Sequence, residues 1–388
     1  MVDSRADSPA NPIQTSGAAA SLLELYRNRF LAARNQPRPV AGYTSNTVPW
    51  ELLWSAGFFP ILLSPPLEPS PLANGWMENV FPDRIRATFH RLTSDGWDFL
   101  KLVAIPRTSE QEHKLFLYLR EFQRQNPEAP MPELVLYNLL HTRSPEAEAY
   151  GFKRTLDLKR RLEEILGRAV TDDRLREAIG IGNRARAAAR ELQRLRTSRK
   201  ICGTEAFPLL GAFYFADRVQ YAGLLAELIA KRDANAPLSG PRLLIKGSPL
   251  DHPELHRQIE SHGAIVVAED DWRGARAAGC DIATDIDPLQ AIFEKYYRDA
   301  ASPRVFPQEE NEHWFRKTSL EADGVVFYLP PEDDVWGWEY PRQRAFLDSR
   351  GIPHLLIRGD AGRGLSSEDH DRIRQFVKEC AGGRSSID

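Results

Sequence analysis

Residues 323–360, reading DGVVFYLPPEDDVWGWEYPRQRAFLDSRGIPHLLIRGD, restrict the fold more than any other stretch of the chain. An apolar, β-branched run at 325–329 stops at Pro330 and Pro331. An acidic and aromatic loop follows, then a helix signature from Pro341 and a second apolar run at 352–357. Gly351 falls where a helix ends in a left-handed turn, so the punctuation agrees with a strand, loop, helix, strand unit. Units of this kind build parallel sheets, in which ligands gather at the carboxyl ends of the strands. The loop at 330–339 is therefore the expected floor of a site, with Glu332, Asp333 and Asp334 beside Trp336, Trp338 and Tyr340. A solvated acidic turn with two aromatics covering the core would read the same way.

A chain of 388 residues exceeds the size at which one core keeps growing, which predicts two compact units with a helical insert. A net charge of −3 gives no electrostatic case for nucleic acid as a partner. No apolar run is long enough to span a bilayer, and the polar N-terminus lacks the apolar stretch of a signal peptide. Cys202, Cys280 and Cys380 form neither a CxxC nor a zinc pattern, and their odd number argues against a disulfide framework. The simplest home is a reducing cytoplasm.

Residues 1–20 are rich in Ser, Asp, Pro and Ala and predict a disordered leader. An N-terminal α/β domain is expected over 21–144. In it a short strand at 40–43 runs into Thr44-Ser45-Asn46-Thr47, whose side chains can cap the helix opened by Pro49. Ser45 and Asn46 are candidate ligand contacts, because free helix N–H groups attract carbonyl, carboxylate or phosphate oxygens; a plain helix cap is the competing explanation. Runs at 58–63, 99–105 and 134–140 read as further strands, the last delivering His141 to a polar turn. His141 is either an acid or base or a hydrogen-bonded structural residue.

Residues 145–236 form a helical connecting region, with two long helices before Thr197. Their arginine run (Arg184, Arg186, Arg190, Arg194, Arg196, Arg199) reads as a solvated face, because Glu177 and Glu191 are interleaved. A C-terminal α/β domain is expected over 237–388. Its strand at 264–268 delivers Asp270, Asp271, Trp272, Arg273 and Arg276, a second candidate site wall, since guanidinium groups grip phosphate or carboxylate bidentately. An ion pair of Arg276 with either aspartate, pinning the loop, is the alternative.

Four segments, in this order, carry a resemblance: TSNTVPWELLWSAGFFPILL at 44–63, the turn at 105–111, the helical text LEEILGRAVTDDRLREAI within 156–179, and GAIVVAEDDWRGAR paired with ADGVVFYLPPEDD. Together they resemble the 2-hydroxyacyl-CoA dehydratase and benzoyl-CoA reductase subunit family. The resemblance implies two Rossmann-like parallel-sheet domains joined by a helical segment, a related partner subunit and an acyl-CoA thioester bound between the domains. It also implies a [4Fe-4S] cluster held by cysteines on strand-end loops and electrons from an ATP-dependent activator. Cluster ligation takes thiolates, and here the sequence departs from the pattern. Ser109 stands at one cysteine position, Leu329 and Pro330 at another, and the loop at 270–276 has no cysteine. No residue is assigned as a metal ligand.

The expected function is that of a subunit in a dehydratase-like lyase or a reductase-like complex, the cluster lying on its companion. The alternatives are a non-redox acyl-CoA enzyme using Glu332, Asp333, Asp334 and His141, or a CoA-ester binding scaffold. Glu332, Asp333 and Ser109 are the expected catalytic positions. Ser45, Asn46, Glu51, Asp271, Arg276, Trp336 and Trp338 are the expected substrate contacts, with the tryptophans walling an apolar acyl pocket.

Overall fold

In the computed structural model the described residues are 17–66, 68–299, 301–302, 304–331 and 333–382. Two sheets of four parallel strands carry the architecture. The first comprises β1 (Val40–Tyr43), β2 (Phe59–Leu62), β3 (Leu100–Pro106) and β4 (Glu133–Tyr137), in the order β2-β1-β3-β4. The second comprises β5 (Arg242–Gly247), β6 (Ile265–Asp270), β7 (Gly324–Tyr328) and β8 (His354–Ile357), in the order β6-β5-β7-β8. Both sheets thus follow one plan: the first strand lies inside, the second on one side of it, the third and fourth on the other. In such a plan the chain leaves the first and third strands in opposite directions, which opens a crevice at their carboxyl ends. The expected pair of Rossmann-like units joined by helices is what the chain forms.

The strands inside each sheet are buried on both faces because helices cover it, while the edge strands β4 and β8 are half-buried. Phe59, Ile61, Val103 and Ile105 of the first sheet pack beneath the helices Asp83–Thr93 and Glu110–Gln125. Ala41, Tyr43, Leu102 and Ala104 face the largest core, which they share with the helices Pro145–Leu166, Asp172–Thr197, Gly203–Gly211 and Arg218–Arg232. Each of the two long helices starts at a side-chain cap: Ser144 Oγ accepts from Ala147 N, and Thr171 Oγ1 from Arg174 N. The helix Ala18–Arg27 begins inside the segment read as a leader, because Ala18 and Ala19 are buried with Leu22 and Leu23; residues 1–16 lie outside the described residues.

One expectation about the arginine run needs correction. Arg186 and Arg196 do not belong to a solvated face: they are 1% and 0% exposed and form ion pairs with Glu51 and Glu269. The chain between β6 and β7 reaches across to other elements. Its helix Pro288–Arg298 packs on the two long helices, Phe306 N–H donates to His141 O at 3.0 Å, and Ser302 Oγ donates to Thr108 O at 3.1 Å.

Candidate functional site

Strand ends from both sheets meet at one cavity of about 250 Å³. The residues that follow β1 (Thr44, Ser45), β3 (Thr108, Ser109), β5 (Ser248 to His252) and β7 (Pro330, Asp333, Trp336) all line it. Gly247 makes the close meeting of β5 and β7 possible. Its φ is 137°, and a Cβ there would stand 2.1 Å from the Tyr328 carbonyl oxygen, the acceptor for Ser248 N–H at 2.9 Å.

The first wall is made of hydroxyls around one carboxyl. Pro49, not a side chain from 44–47, precedes the helix Trp50–Ala56, and no side-chain cap is present there. Thr44, Ser45 and Thr47 instead bond to one another's neighbours in this wall. Ser45 Oγ donates to Thr108 Oγ1 at 2.8 Å, and Thr47 Oγ1 lies 2.7 Å from the same atom. Ser109 caps the helix Glu110–Gln125 in a capping box: its Oγ accepts from Glu112 N at 3.3 Å, while Glu112 Oε2 accepts from Ser109 N at 3.1 Å. Thr44 Oγ1 lies 2.8 Å from Glu112 Oε1. Burial raises the Glu112 carboxyl above its ordinary value, against the pull of hydrogen bonds from Thr44 and from the Ser109 backbone N–H.

The second wall is ionic and aromatic. Asp333 Oδ2 accepts the Ser248 hydroxyl proton, and its Oδ1 accepts Trp336 N–H at 3.0 Å, so this carboxylate ties the end of β5 to the loop after β7. Trp336 is buried, and Lys246 Nζ stands 4.5 Å from its ring centroid while pairing with Asp270 at 2.9 Å. Arg84 of the first unit donates to Pro249 O at 2.8 Å across the cleft. Asp251 and His252 are 3.6 Å apart at the nearest nitrogen and oxygen. Burial works to raise the Asp251 carboxyl, but Arg84 and Arg273 outweigh it and hold the group below its ordinary value. Burial lowers the His252 imidazole.

Of the residues expected from sequence, Ser45, Ser109, Asp333 and Trp336 line this cavity together. Others lie elsewhere. Glu51 is fully buried, accepting from Arg186 and from the Tyr296 hydroxyl, each at 2.6 Å. Arg276 pairs with Asp270 at 2.9 Å, the loop-pinning alternative. It shares with Asn46 a separate void of about 40 Å³. Asp271 accepts the Arg273 and Gly274 N–H groups at 2.7 and 2.6 Å, and burial pushes its carboxyl up to about 7. Trp338 is 85% exposed and walls nothing. Glu332 lies outside the described residues. His141 is buried beside Tyr297 O, and burial pushes its imidazole down to about 4.

Sequence reasoning missed Glu112, Arg84, Asp251 and His252. The Ser109-Glu112 spacing is a capping-box signature and would have flagged Glu112. Asp251 and His252 follow the Gly247-Ser248 turn and were reachable from the strand-end rule. Arg84 sits in the first turn of its helix with no local signal.

The residues do not fit an iron–sulfur cluster. Cys202 precedes the helix Gly203–Gly211, Cys280 is exposed near Asp299, and Cys380 is buried on the helix Ser367–Gly382; none lines the cavity. Burial pushes the Cys202 and Cys380 thiols up to about 12, opposite to what a thiolate ligand needs. Among the described residues no group of three or more His, Cys, Asp or Glu is placed to hold a metal ion, and no helix is long and apolar enough to cross a membrane.

Comparison with known proteins agrees along most of the chain. It is 22% identical over 371 residues to the (R)-phenyllactyl-CoA dehydratase beta subunit of Clostridium sporogenes, covering 94% of this chain and 91% of that subunit. It is 26% identical over 239 residues to the beta subunit of (R)-2-hydroxyglutaryl-CoA dehydratase from Acidaminococcus fermentans (58% of this chain, 63% of that one). It is also 26% identical over 239 residues to one of the subunits of benzoyl-CoA reductase from Thauera aromatica (57% and 60%). The chain thus spans just under two thirds of the Acidaminococcus and Thauera proteins. The family model described as 2-hydroxyglutaryl-CoA dehydratase, D-component, matches residues 46–378, a span that holds both sheets from β2 onward and every strand-end loop of the cleft after that of β1. With one fold, one cleft and one family pattern running through the same residues, the chain belongs to the 2-hydroxyglutaryl-CoA dehydratase D-component family.

Proposed function

We infer that this chain is a subunit of a 2-hydroxyacyl-CoA dehydratase-like or benzoyl-CoA reductase-like complex and takes an acyl-CoA thioester in the cleft between its sheets. In this reading a related, cysteine-bearing subunit holds the [4Fe-4S] cluster, and an ATP-dependent activator serves the complex. The observation that carries it is the cleft's composition: Leu63, Leu115, Trp272 and Trp336 supply apolar surface, a few hydroxyls and carboxyls supply direction, and no thiol is present among the described residues that line it. That mixture suits an acyl chain with one polar end. Trp336, held by Lys246, excludes water from the acyl group, and Ser45, Thr44 and Ser109 orient its oxygen atoms.

The test has two arms. Purified without oxygen, the chain alone is expected to hold no iron or acid-labile sulfide and to show a higher Tm with an acyl-CoA, because a ligand that binds only the native state adds stability. Co-expressed with a cysteine-bearing homologue, it is expected to co-purify with that protein and with iron. Iron in the chain alone would overturn the assignment of the cluster to a companion. An unchanged Tm with every CoA ester would overturn the cleft as the thioester site. A non-redox acyl-CoA enzyme is the second reading, favoured by Glu112, Asp251 and Asp333 sharing one cavity. It requires the chain alone to hydrate or hydrolyse an acyl-CoA.

A further inference from the structure

One hydrogen bond in the first wall can run in two directions. Thr44 Oγ1 and Glu112 Oε1 are 2.8 Å apart, and both side chains line the cavity. Glu112 Oε2 is already taken by Ser109 N–H at 3.1 Å. A threonine hydroxyl has one proton to donate. When Glu112 is ionised it accepts that proton, and Thr44 turns only lone pairs toward a ligand. When Glu112 is protonated the carboxyl donates to Thr44 Oγ1, and the hydroxyl proton is released toward the cavity. The proton moves only between oxygen atoms and solvent, so no oxidant or leaving group is involved.

We propose that Glu112 sets, through Thr44, whether the first wall offers a bound acyl group a hydrogen-bond donor or acceptors alone, making the pair a determinant of how the thioester carbonyl oxygen is held. The inference rests on the acyl-CoA reading above. The protonated state suits a carbonyl oxygen; the ionised state suits a ligand hydroxyl that donates.

The surroundings allow both states. Glu112 is 7% exposed and forms no ion pair among the described residues. Burial is the largest influence on its carboxyl and favours the protonated form; hydroxyl and backbone N–H groups oppose it, and no cation is prominent. On its own helix, Glu110 is engaged by Arg107 and Arg304, and His113 lies 3.9 Å from Glu110. Asp83 and Arg84 share the cavity from the preceding helix, and Asp251, His252, Asp333 and Asp360 face it from the second unit. His252 is the competing titrating group, and its contribution must be separated from that of Glu112.

The experiment measures butyryl-CoA binding to the full chain by calorimetry from about pH 5.5 to about pH 8.5, for wild type, Glu112→Gln and Thr44→Val. The CoA phosphate titrates near pH 6 for all three proteins, so the difference between proteins is what counts. Wild-type affinity is expected to fall with rising pH by about three- to tenfold more than that of Glu112→Gln, the range of one neutral hydrogen bond. Glutamine keeps the capping box and can donate to Thr44 at every pH, so Glu112→Gln retains the low-pH affinity. Thr44→Val, nearly isosteric, is expected to bind weakly at every pH with no excess pH dependence. The same pH dependence in Glu112→Gln as in wild type would overturn the proposal and point to His252 or Asp251. Tight, pH-independent binding by Thr44→Val would also overturn it. If no protein binds the ester at any pH, the acyl-CoA reading itself falls, an outcome distinct from these two.

Discussion

Behind the first wall, Ser45, Thr47 and Thr108 share hydrogen bonds among neutral hydroxyls, and the one carboxyl among them has no ion-pair partner in the described residues. Behind the second, Lys246, Asp270 and Arg276 form a buried ionic chain, and Glu269, one residue earlier, is clasped by Arg196 and His256. The two sheets share one strand order, so the contrast comes from the side chains set on that plan and not from the plan itself. Neutral hydroxyls can reverse their bonds at little cost, which keeps a wall adaptable. Buried ions hold one geometry and are costly to strip of a partner.

The contrast is broken most severely by Arg196→Met. Glu269 would stay buried with only His256, and a loss of about 3–5 kcal/mol in urea-unfolding stability is expected. If the loss is below about 1 kcal/mol, the second unit is not held by its ions. Next in size is Trp336→Ala, which empties a buried aromatic site beside Lys246 and is expected to remove about 3 kcal/mol together with most acyl-CoA binding. Acid sharpens the comparison. Although burial alone would raise it, Arg196 and His256 together hold the Glu269 carboxyl at about 2, below the 4.5 of an ordinary glutamate. Its stabilising contribution is therefore complete above about pH 4.5 and is lost as the pH falls toward 2. Glu112, shifted the other way, adds nothing of that sign. Hydrogen exchange at falling pH should release the β5-β6 amides before those of β1-β3. Ser109→Ala, which removes one cap from the first wall, is expected to cost about 1 kcal/mol. Smallest is Trp338→Ala, at or below about 0.5 kcal/mol in the same unfolding assay, since the ring is 85% exposed.

Legibility from the sequence follows the range of the interaction that fixes each residue. The strands and the strand-loop-helix unit at 323–360 depend on neighbours within a few positions, and periodicity and punctuation expose them. Ser45, Asp333 and Trp336 were singled out because a strand end is a local signal, and Ser109 because the family resemblance marked its position. Glu51 was misplaced because its partners, Arg186 and Tyr296, are 135 and 245 residues away. Arg186 and Arg196 look like any charged helix face until a second element lies against them. The two tryptophans are the clearest case: Trp336 and Trp338 stand two residues apart in one acidic segment, and nothing local tells the buried ring, which lies against Lys246 of β5, from the exposed one.

The crossing of the chain from the second sheet back to the first also makes the cleft a mechanical device. Ser302 and Phe306 lie on the connection between β6 and β7, yet they are fastened to Thr108 and His141 on loops of the other unit. A rigid swing of one unit away from the other would load these fastenings. Thr108 is the hub of the hydroxyl cluster, so tension on this strap is delivered to the atoms that would face a ligand.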